Sequence, residues 1–268
     1  MKETAYAKIN LALHVRGRRD DGYHELETLF MFLDNGDQLS ACRSEQDELR
    51  VVGDFASELT DPFSNIVAKA LSVLSRSQGL AVELEKNLPV AAGLGGGSAD
   101  AGAIFRLVRE VAGLPDDWHA RAARLGADVP ACVDSVACIG RGTGAELQPV
   151  ENDLVGRPVL LVNPRVPLPT GPVFAAWDGR DLGGLPNGPA SRIAAEGRND
   201  LEAAALSMCG VIGEVLDALA STRAELVRMS GSGATCFAMY RDHDVMQEAA
   251  DRLRLEQPNW WQMRGSLR

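Results

Sequence analysis

Leu88-Pro89-Val90-Ala91-Ala92-Gly93-Leu94-Gly95-Gly96-Gly97-Ser98-Ala99-Asp100-Ala101 places four glycines in the five positions from 93 to 97. An alternating apolar run over residues 80–86 leads into it and reads as a strand. Beyond it, Ala101, Ile104, Phe105, Val108 and Val111 recur at helical spacing. The order is strand, glycine loop, helix. Glycines let the backbone adopt unusual φ/ψ and come close to a ligand. The helix that follows has free N–H groups in its first turn and the positive end of its dipole. A phosphate chain is the natural occupant of such a place. Ser98 can add a hydroxyl to a phosphate or to a phosphate-bound metal. The segment is not a Walker loop, because no lysine follows the glycines. It is not a dinucleotide fingerprint, because the position three beyond Gly97 is Asp100. The alternative reading is a flexible glycine turn in front of a helix.

Working outward, residues 6–15 alternate. Ala7, Ile9, Leu11 and Leu13 share one face; Tyr6, Lys8, Asn10 and Ala12 share the other. This predicts a strand with one buried face. Asp20-Asp21-Gly22 is a turn. Residues 26–33, 38–43 and 49–53 read as further strands. Ser64 is placed to cap a helix with Ile66, Val67, Ala70, Leu71 and Leu74 on its apolar face. Helices are expected at 118–125 and after Pro130, and a strand at 136–140. A domain boundary is expected after residue 152, giving halves 1–152 and 153–268. In the second half, 159–163, 226–230, 236–240 and 260–264 read as strands, and 200–207, 211–221 and 242–255 as helices. Residues 165–189 are rich in Gly and Pro and read as loop. Strands and helices mixed without strict alternation predict an α+β fold in both halves.

The net charge is −10, from 27 basic and 37 acidic side chains. A chain that tracks nucleic acid shows a basic surface. That partner is therefore not expected, although a nucleotide held by backbone N–H groups is compatible with an acidic protein. The five cysteines form no C-x-x-C pair, which argues against a zinc site or a disulfide framework and fits a reducing cytoplasm. Met1-Lys2-Glu3-Thr4 is polar, with no apolar signal core. No apolar run approaches the roughly 18 residues of a membrane span. A cytoplasmic monomer or weak homodimer is expected.

Pro89 to Ala101 resembles the phosphate-binding motif of the galactokinase–homoserine kinase–mevalonate kinase–phosphomevalonate kinase (GHMP) superfamily. Ala7-Lys8-Ile9-Asn10-Leu11 and Met229-Ser230-Gly231-Ser232-Gly233-Ala234 resemble its other two motifs, in the same order along nearly the whole chain. Four features are similar to one branch of that superfamily. They are Ala7 to Leu11, Asp21-Gly22-Tyr23-His24, Gly126-Ala127-Asp128-Val129-Pro130, and Pro172-Val173-Phe174 beyond Asn163-Pro164. That branch acts in non-mevalonate isoprenoid biosynthesis. The resemblance implies phosphorylation of the 2-hydroxyl of a CDP-linked methylerythritol by ATP with Mg²⁺. It implies two domains, the first like ribosomal protein S5 domain 2 and the second a ferredoxin-like α/β sandwich, with the active site in the cleft between them. A homoserine- or mevalonate-type kinase of the same superfamily, or a non-catalytic relative that binds a nucleotide or sugar, is the alternative.

The resemblance also implies roles. Pro89 to Ala99 would hold the ATP phosphates, with Ser98 a candidate metal contact, and Asn65 would lie near the adenine. Asp128 would take the proton of the attacking hydroxyl; a helix-start residue is the competing reading. Lys8 would pair with Asp128 and offset charge on the reacting oxygen. Asn10, on the same strand face, would hydrogen-bond the substrate. Tyr23, His24 and Phe174 would enclose the pyrimidine, against the plainer readings of core aromatics and a surface histidine. Gly231, Ser232 and Gly233 would approach the phosphate loop across the cleft, a hairpin turn being the alternative. The family loop often reads Ser-Ser-Asn after its glycines, whereas this chain has Ser98-Ala99-Asp100. A carboxylate there repels phosphates unless it faces away or meets Mg²⁺.

Overall fold

The structure, a computed structural model, describes residues 1–59 and 65–268. The expected cap Ser64 lies outside the described residues. Strands β1 (Lys2–Arg18) and β2 (His24–Ser44) form one long antiparallel hairpin. Its turn is Asp20-Asp21-Gly22, where Gly22 takes φ +86° and donates its N–H to the Arg19 carbonyl. Sequence alternation predicts two strands over 26–43, but β2 runs through without a break. Around Asp34-Asn35-Gly36 the ladder shifts register, with Phe32 opposite Lys8 and Gly36 opposite Tyr6, so that two extra residues of β2 bulge into a bend. A Cβ at Gly36 would lie 2.0 Å from the Ala5 carbonyl oxygen, so only glycine fits this bend. β3 (Glu48–Val52) runs parallel to β4 (Gly79–Glu85), and β4 pairs with the far half of β2. β5 (Cys138–Gly142) pairs with the near half of β2 and carries β6 (Glu146–Pro149) at its edge.

One face of this sheet is covered by α1 (Ile66–Val73), α2 (Gly96–Ala112), α3 (Trp118–Leu125) and α4 (Val129–Asp134). Asn65 caps α1 by accepting the Val67 N–H at 2.9 Å. Ile104, Phe105, Leu107 and Val108 of α2 enter a core with Phe30, Phe32, Leu39 and Leu84 of the sheet.

The second half holds an antiparallel sheet in the order β10-β7-β9-β8. Its strands are β7 (Pro158–Asn163), β8 (Leu226–Met229), β9 (Cys236–Met239) and β10 (Trp261–Ser266). Helices α5 (Thr170–Ala175), α6 (Ala190–Glu196), α7 (Glu202–Met208) and α8 (Val211–Ala220) separate β7 from β8. α9 (His243–Glu256) separates β9 from β10. Reading these four strands in chain order gives 4-1-3-2 across the sheet, the split β-α-β arrangement of ferredoxin-like domains. The fold is α+β in two domains, as the sequence predicts.

Three local expectations need correction. Residues 165–189 are not all loop, because α5 forms there; its Pro172 lies in the first turn, where its missing N–H costs no intrahelical hydrogen bond. α6 and β6 have no counterpart in the sequence reading. β1 does not keep one face exposed. Ala5 packs with the helices, while Ile9, Leu11, Leu29 and Met31 pack against Val159, Leu161, Phe237 and Met239 of the second sheet. The first sheet is covered on both sides, so Lys8 and Asn10 are buried.

α2 and α4 touch through Gly102. A Cβ there would lie 2.3 Å from the Cys132 carbonyl oxygen. Gly102→Ala is therefore expected to lower stability by roughly 1–3 kcal/mol, the usual cost of overpacking, as a reduced urea midpoint at unchanged slope.

Candidate active site

A cleft of about 1050 Å³ lies between the glycine loop and β1–β2 hairpin on one side and α5 and the β8–β9 turn on the other, so it is lined from both halves of the chain. Its floor is the glycine loop. Ala91, Gly93 and Gly95 all take positive φ (52°, 77° and 60°). The carbonyls of the loop point into the protein. Ala92 O accepts from Thr235 N (3.2 Å), Leu94 O from Lys8 N (3.0 Å), and Gly93 O from the Ser230 hydroxyl (2.8 Å). With its oxygens held inward, the loop opens its amides to the cleft at the start of α2, where the first turn has no intrahelical acceptors. Gly95 and Gly93 cannot be replaced without displacement. A Cβ on Gly95 would lie 2.8 Å from Lys8 Cε, and one on Gly93 would lie 2.2 Å from Ser230 O. Pro89, Val90, Ala91, Ala92, Gly93, Gly95, Gly96, Gly97 and Ser98 line the cleft, as does Asn65. Leu94 and Ala99 do not; both are buried in apolar cores.

Asp128 precedes α4 and makes no cap bond with its side chain. Its carboxylate instead meets Lys8 Nζ at 2.9 Å, with Lys8 nearly buried and Asp128 31% exposed toward the cleft. Lys8 is aimed by a polar relay. Its ammonium donates to Asn10 Oδ1 (2.8 Å), Asn10 Nδ2 donates to Thr28 Oγ1 (2.8 Å), and Thr28 donates to Ala12 O (2.8 Å). The Phe30 ring lies 5.3 Å below the ammonium. Asn10 lines the cleft, and its amide also orients Lys8. The thiols of Cys132 and Cys138, in the helix and strand behind Asp128, are pushed up by burial and then by the Asp128 charge.

The far end of the cleft is aromatic. Tyr23 is 63% exposed at its mouth, so it is not a core residue. His24 and Phe174 stand 5.2 Å apart between centroids, tilted by 43°. His24 Nε2 is buried, with no hydrogen-bond partner among the described residues. Burial and then the nearby Arg18 charge hold the imidazole below its ordinary pKa, which keeps it neutral. Gly231 and Ser232 line the cleft; Gly233 does not. The turn they form approaches the glycine loop closely. Gly231 sits at φ +57°, and a Cβ there would be 3.0 Å from Asn10 Oδ1 and 3.3 Å from Gly93 O. Asn199 holds this turn by donating to Met229 O and Gly231 O, both at 2.8 Å. Ser230 and Asn199 escape the sequence reading, because their partners are far away in the chain.

Asp100 borders the cleft with almost none of its surface exposed. It is buried on Lys86, whose ammonium reaches Asp100 Oδ2 at 2.8 Å and also meets Asp37. The other Asp37 oxygen accepts the N–H groups of Asn87 (2.6 Å) and Leu88 (2.7 Å) at the entrance to the loop. Burial disfavours the Lys86 charge, but Asp100 and Asp37 outweigh it and raise its pKa. Among the described residues Asp100 has only Lys86 as a hydrogen-bond partner and one unpartnered oxygen; burial pushes its carboxyl up to about 8. A carboxyl that is more basic folded than unfolded contributes stability at low pH and loses it as pH rises toward its folded value. Between pH 6 and 8, wild-type stability is expected to fall relative to Asp100→Asn by about 1 kcal/mol per pH unit. Urea titrations at several pH values measure this; parallel curves for the two proteins would refute it.

A glycine loop at the start of a helix, a carboxylate paired with a lysine, and an aromatic pocket meet in one interdomain cleft, the arrangement of a small-molecule kinase. The family descriptions "GHMP kinases N terminal domain" and "GHMP kinases C terminal" match residues 65–138 and 187–259, and the chain belongs to the GHMP kinase family. It is 64% identical to the 4-diphosphocytidyl-2-C-methyl-D-erythritol kinase of Novosphingobium aromaticivorans, over all of this chain and 93% of that protein. It is 60% identical to the enzyme of the same name from Erythrobacter litoralis, over 99% of this chain and 98% of that protein. Among solved structures, a 4-(cytidine 5'-diphospho)-2C-methyl-D-erythritol kinase superposes with TM-score 0.83 at 31% identity, covering 100% and 99% of the two chains. A homoserine kinase from Cytophaga hutchinsonii shares the fold, with TM-score 0.65 at 17% identity over 97% and 94%. Among the described residues no helix is long and apolar enough to cross a membrane.

Proposed function

We propose that this chain transfers the γ-phosphate of ATP to the 2-hydroxyl of 4-diphosphocytidyl-2-C-methyl-D-erythritol, a step of non-mevalonate isoprenoid biosynthesis. The observation that carries the mechanism is the Lys8–Asp128 pair, 2.9 Å apart in a cleft that has the glycine loop on its floor and an aromatic pocket at its far end. The relatives at 60% identity and above supply the substrate. Asp128 accepts the proton as the hydroxyl oxygen attacks the γ-phosphorus; the bond to the β-phosphate oxygen breaks and ADP leaves. Lys8 orients the Asp128 carboxylate and stabilises charge on the reacting oxygens. The amides of Gly95 to Ser98 hold the phosphates, and Asn65 stands at the adenine side. Tyr23 and Phe174 stack on the cytosine, and the His24 imidazole hydrogen-bonds its polar edge.

No cluster of three or more metal-ligating side chains occurs among the described residues. Mg²⁺ would therefore arrive with ATP, with the Ser98 hydroxyl and the half-exposed Asp128 carboxylate as the oxygen donors the chain offers. Bound there, it would offset phosphate charge. The domain boundary falls at 152/153, between the last strand of the first sheet and the first of the second. The free cysteines, four of them buried, suit a cytoplasmic protein acting as a monomer or weak homodimer.

ADP release with the CDP-linked substrate tests the assignment; release with homoserine or mevalonate, and none with this substrate, would overturn it. Asp128→Asn keeps the shape and removes the base, so kcat is expected to fall by roughly 10²–10⁴ with little change in KM for ATP. Lys8→Met is expected to lower kcat as well, and the double variant to be no worse than the poorer single one, because the two residues act as a unit. Tyr23→Ala is expected to weaken binding of the cytidine substrate by roughly 1–3 kcal/mol and Tyr23→Phe by much less, with ATP affinity unchanged. Equal losses for both ligands would make Tyr23 a structural residue.

A further inference from the structure

Arg18 is the last residue of β1 and sits opposite His24 across the hairpin. It lines the cleft, yet its charge has no carboxylate partner among the described residues, whereas Lys8 is held by Asp128 and Lys86 by Asp37 and Asp100. Its guanidinium crosses to the other half of the chain. There Nη2 donates to the carbonyls of Ala175 (3.1 Å) and Trp177 (2.6 Å), at the C-terminal end of α5. The last carbonyls of a helix have no acceptor duty within it, and an arginine can cap them. The same guanidinium lies 5.9 Å from the Trp177 ring, and that ring meets His24 edge-on at 5.8 Å.

The wall this end-cap supports is weak by itself. α5 has six residues, no side-chain N-cap, and glycine and proline on either side of its start. A helix this short is not stable without tertiary ties. Its first residue is tied by the Thr170 hydroxyl to Ser232 at 3.0 Å. Its other end is tied by Arg18. Phe174, one residue before the end of α5, faces His24 on the hairpin that Arg18 terminates.

We infer that Arg18 is a positioning residue that sets the width of the nucleobase pocket by fastening the Phe174 wall on α5 to the Tyr23–His24 wall on the β1–β2 hairpin. The inference rests on the reading of the aromatic end as the cytosine site. It assigns Arg18 no contact with the reacting atoms and no part in holding ATP.

Steady-state kinetics on the full chain with ATP and the CDP-linked substrate test it. Arg18→Met keeps the aliphatic stem and loses the donors. Its KM for the CDP-linked substrate is expected to rise roughly 5- to 50-fold, the scale of lost hydrogen bonds from a charged donor, while kcat and KM for ATP hold within about twofold. Arg18→Lys, which keeps one charged donor, should recover part of the loss. In a Phe174→Ala background, Arg18→Met should add less than about twofold, because it acts through the wall already removed. A rise in both KM values, no rise in either, or full additivity with Phe174→Ala would overturn the inference. If Phe174→Ala itself leaves KM for the CDP-linked substrate unchanged, the cytosine-site reading falls and this inference with it. If Phe174→Ala raises that KM and Arg18→Met does not, the inference alone falls.

Discussion

A loop can turn its amides toward a ligand only if its carbonyls are held somewhere else, and everything in this cleft follows from where those carbonyls go. Lys8 N, Ser230 Oγ and Thr235 N take them, from β1 and from the turn between β8 and β9. Each partner has a second duty. Lys8 carries the ammonium that meets Asp128, and Ser230 also accepts the Asn10 N–H at 3.1 Å. Floor, reacting pair and cross-cleft turn are thus one hydrogen-bonded unit. The positive φ values at Gly93 and Gly95 are the backbone cost of that geometry, and the close approach of Ser230 O and Lys8 Cε leaves glycine as the residue that meets it.

Charge in this site is managed by burial with partners. A lysine out of water is costly unless it is paired and hydrogen-bonded. Lys8 has a carboxylate, an amide oxygen and a ring face; Lys86 has two carboxylates. The two lysines divide the work. Lys8 meets a half-exposed carboxylate that stays open to the cleft, while Lys86 is sealed beneath the loop and cross-links its entrance, through Asp37, to α2, through Asp100. That second cluster explains how an aspartate can stand where the family loop often has an asparagine: buried on Lys86 with its pKa raised, the carboxyl puts little negative charge beside the phosphates.

Much of this was legible in the chain because it is written locally. Glycine density, the strand before it and the 3.6-residue period after it announced the phosphate loop and α2. The alternation from Tyr6 to Leu13 placed Lys8 and Asn10 on one face, and four short apolar runs marked the four strands of the second half. What escaped was set by distance along the chain. Ser230 touches Gly93 137 residues away, and Lys86 meets Asp37 49 residues away. Nothing in either local pattern announces those contacts. The burial of both faces of β1 was missed for the same reason, since alternation shows which residues share a face and not what will cover it. α5 was hidden by its composition, because Gly171 and Pro172 signal loop wherever tertiary ties do not override them.

The two-sided cover of the first sheet also bears on how the chain reaches its native state. Ile9, Leu11, Leu29, Met31 and Leu33 share a single apolar core with Val159, Leu161, Phe237 and Trp261, and bridges join Leu13 to Asn199 and Leu33 to Leu267. Cut apart, each half would present that face to water as a broad sticky surface, the kind that drives aggregation. The β1–β2 hairpin is therefore a spine common to both halves. Neither half is a self-sufficient folding module, and an evolutionary swap of one half between relatives would have to carry a matching spine with it.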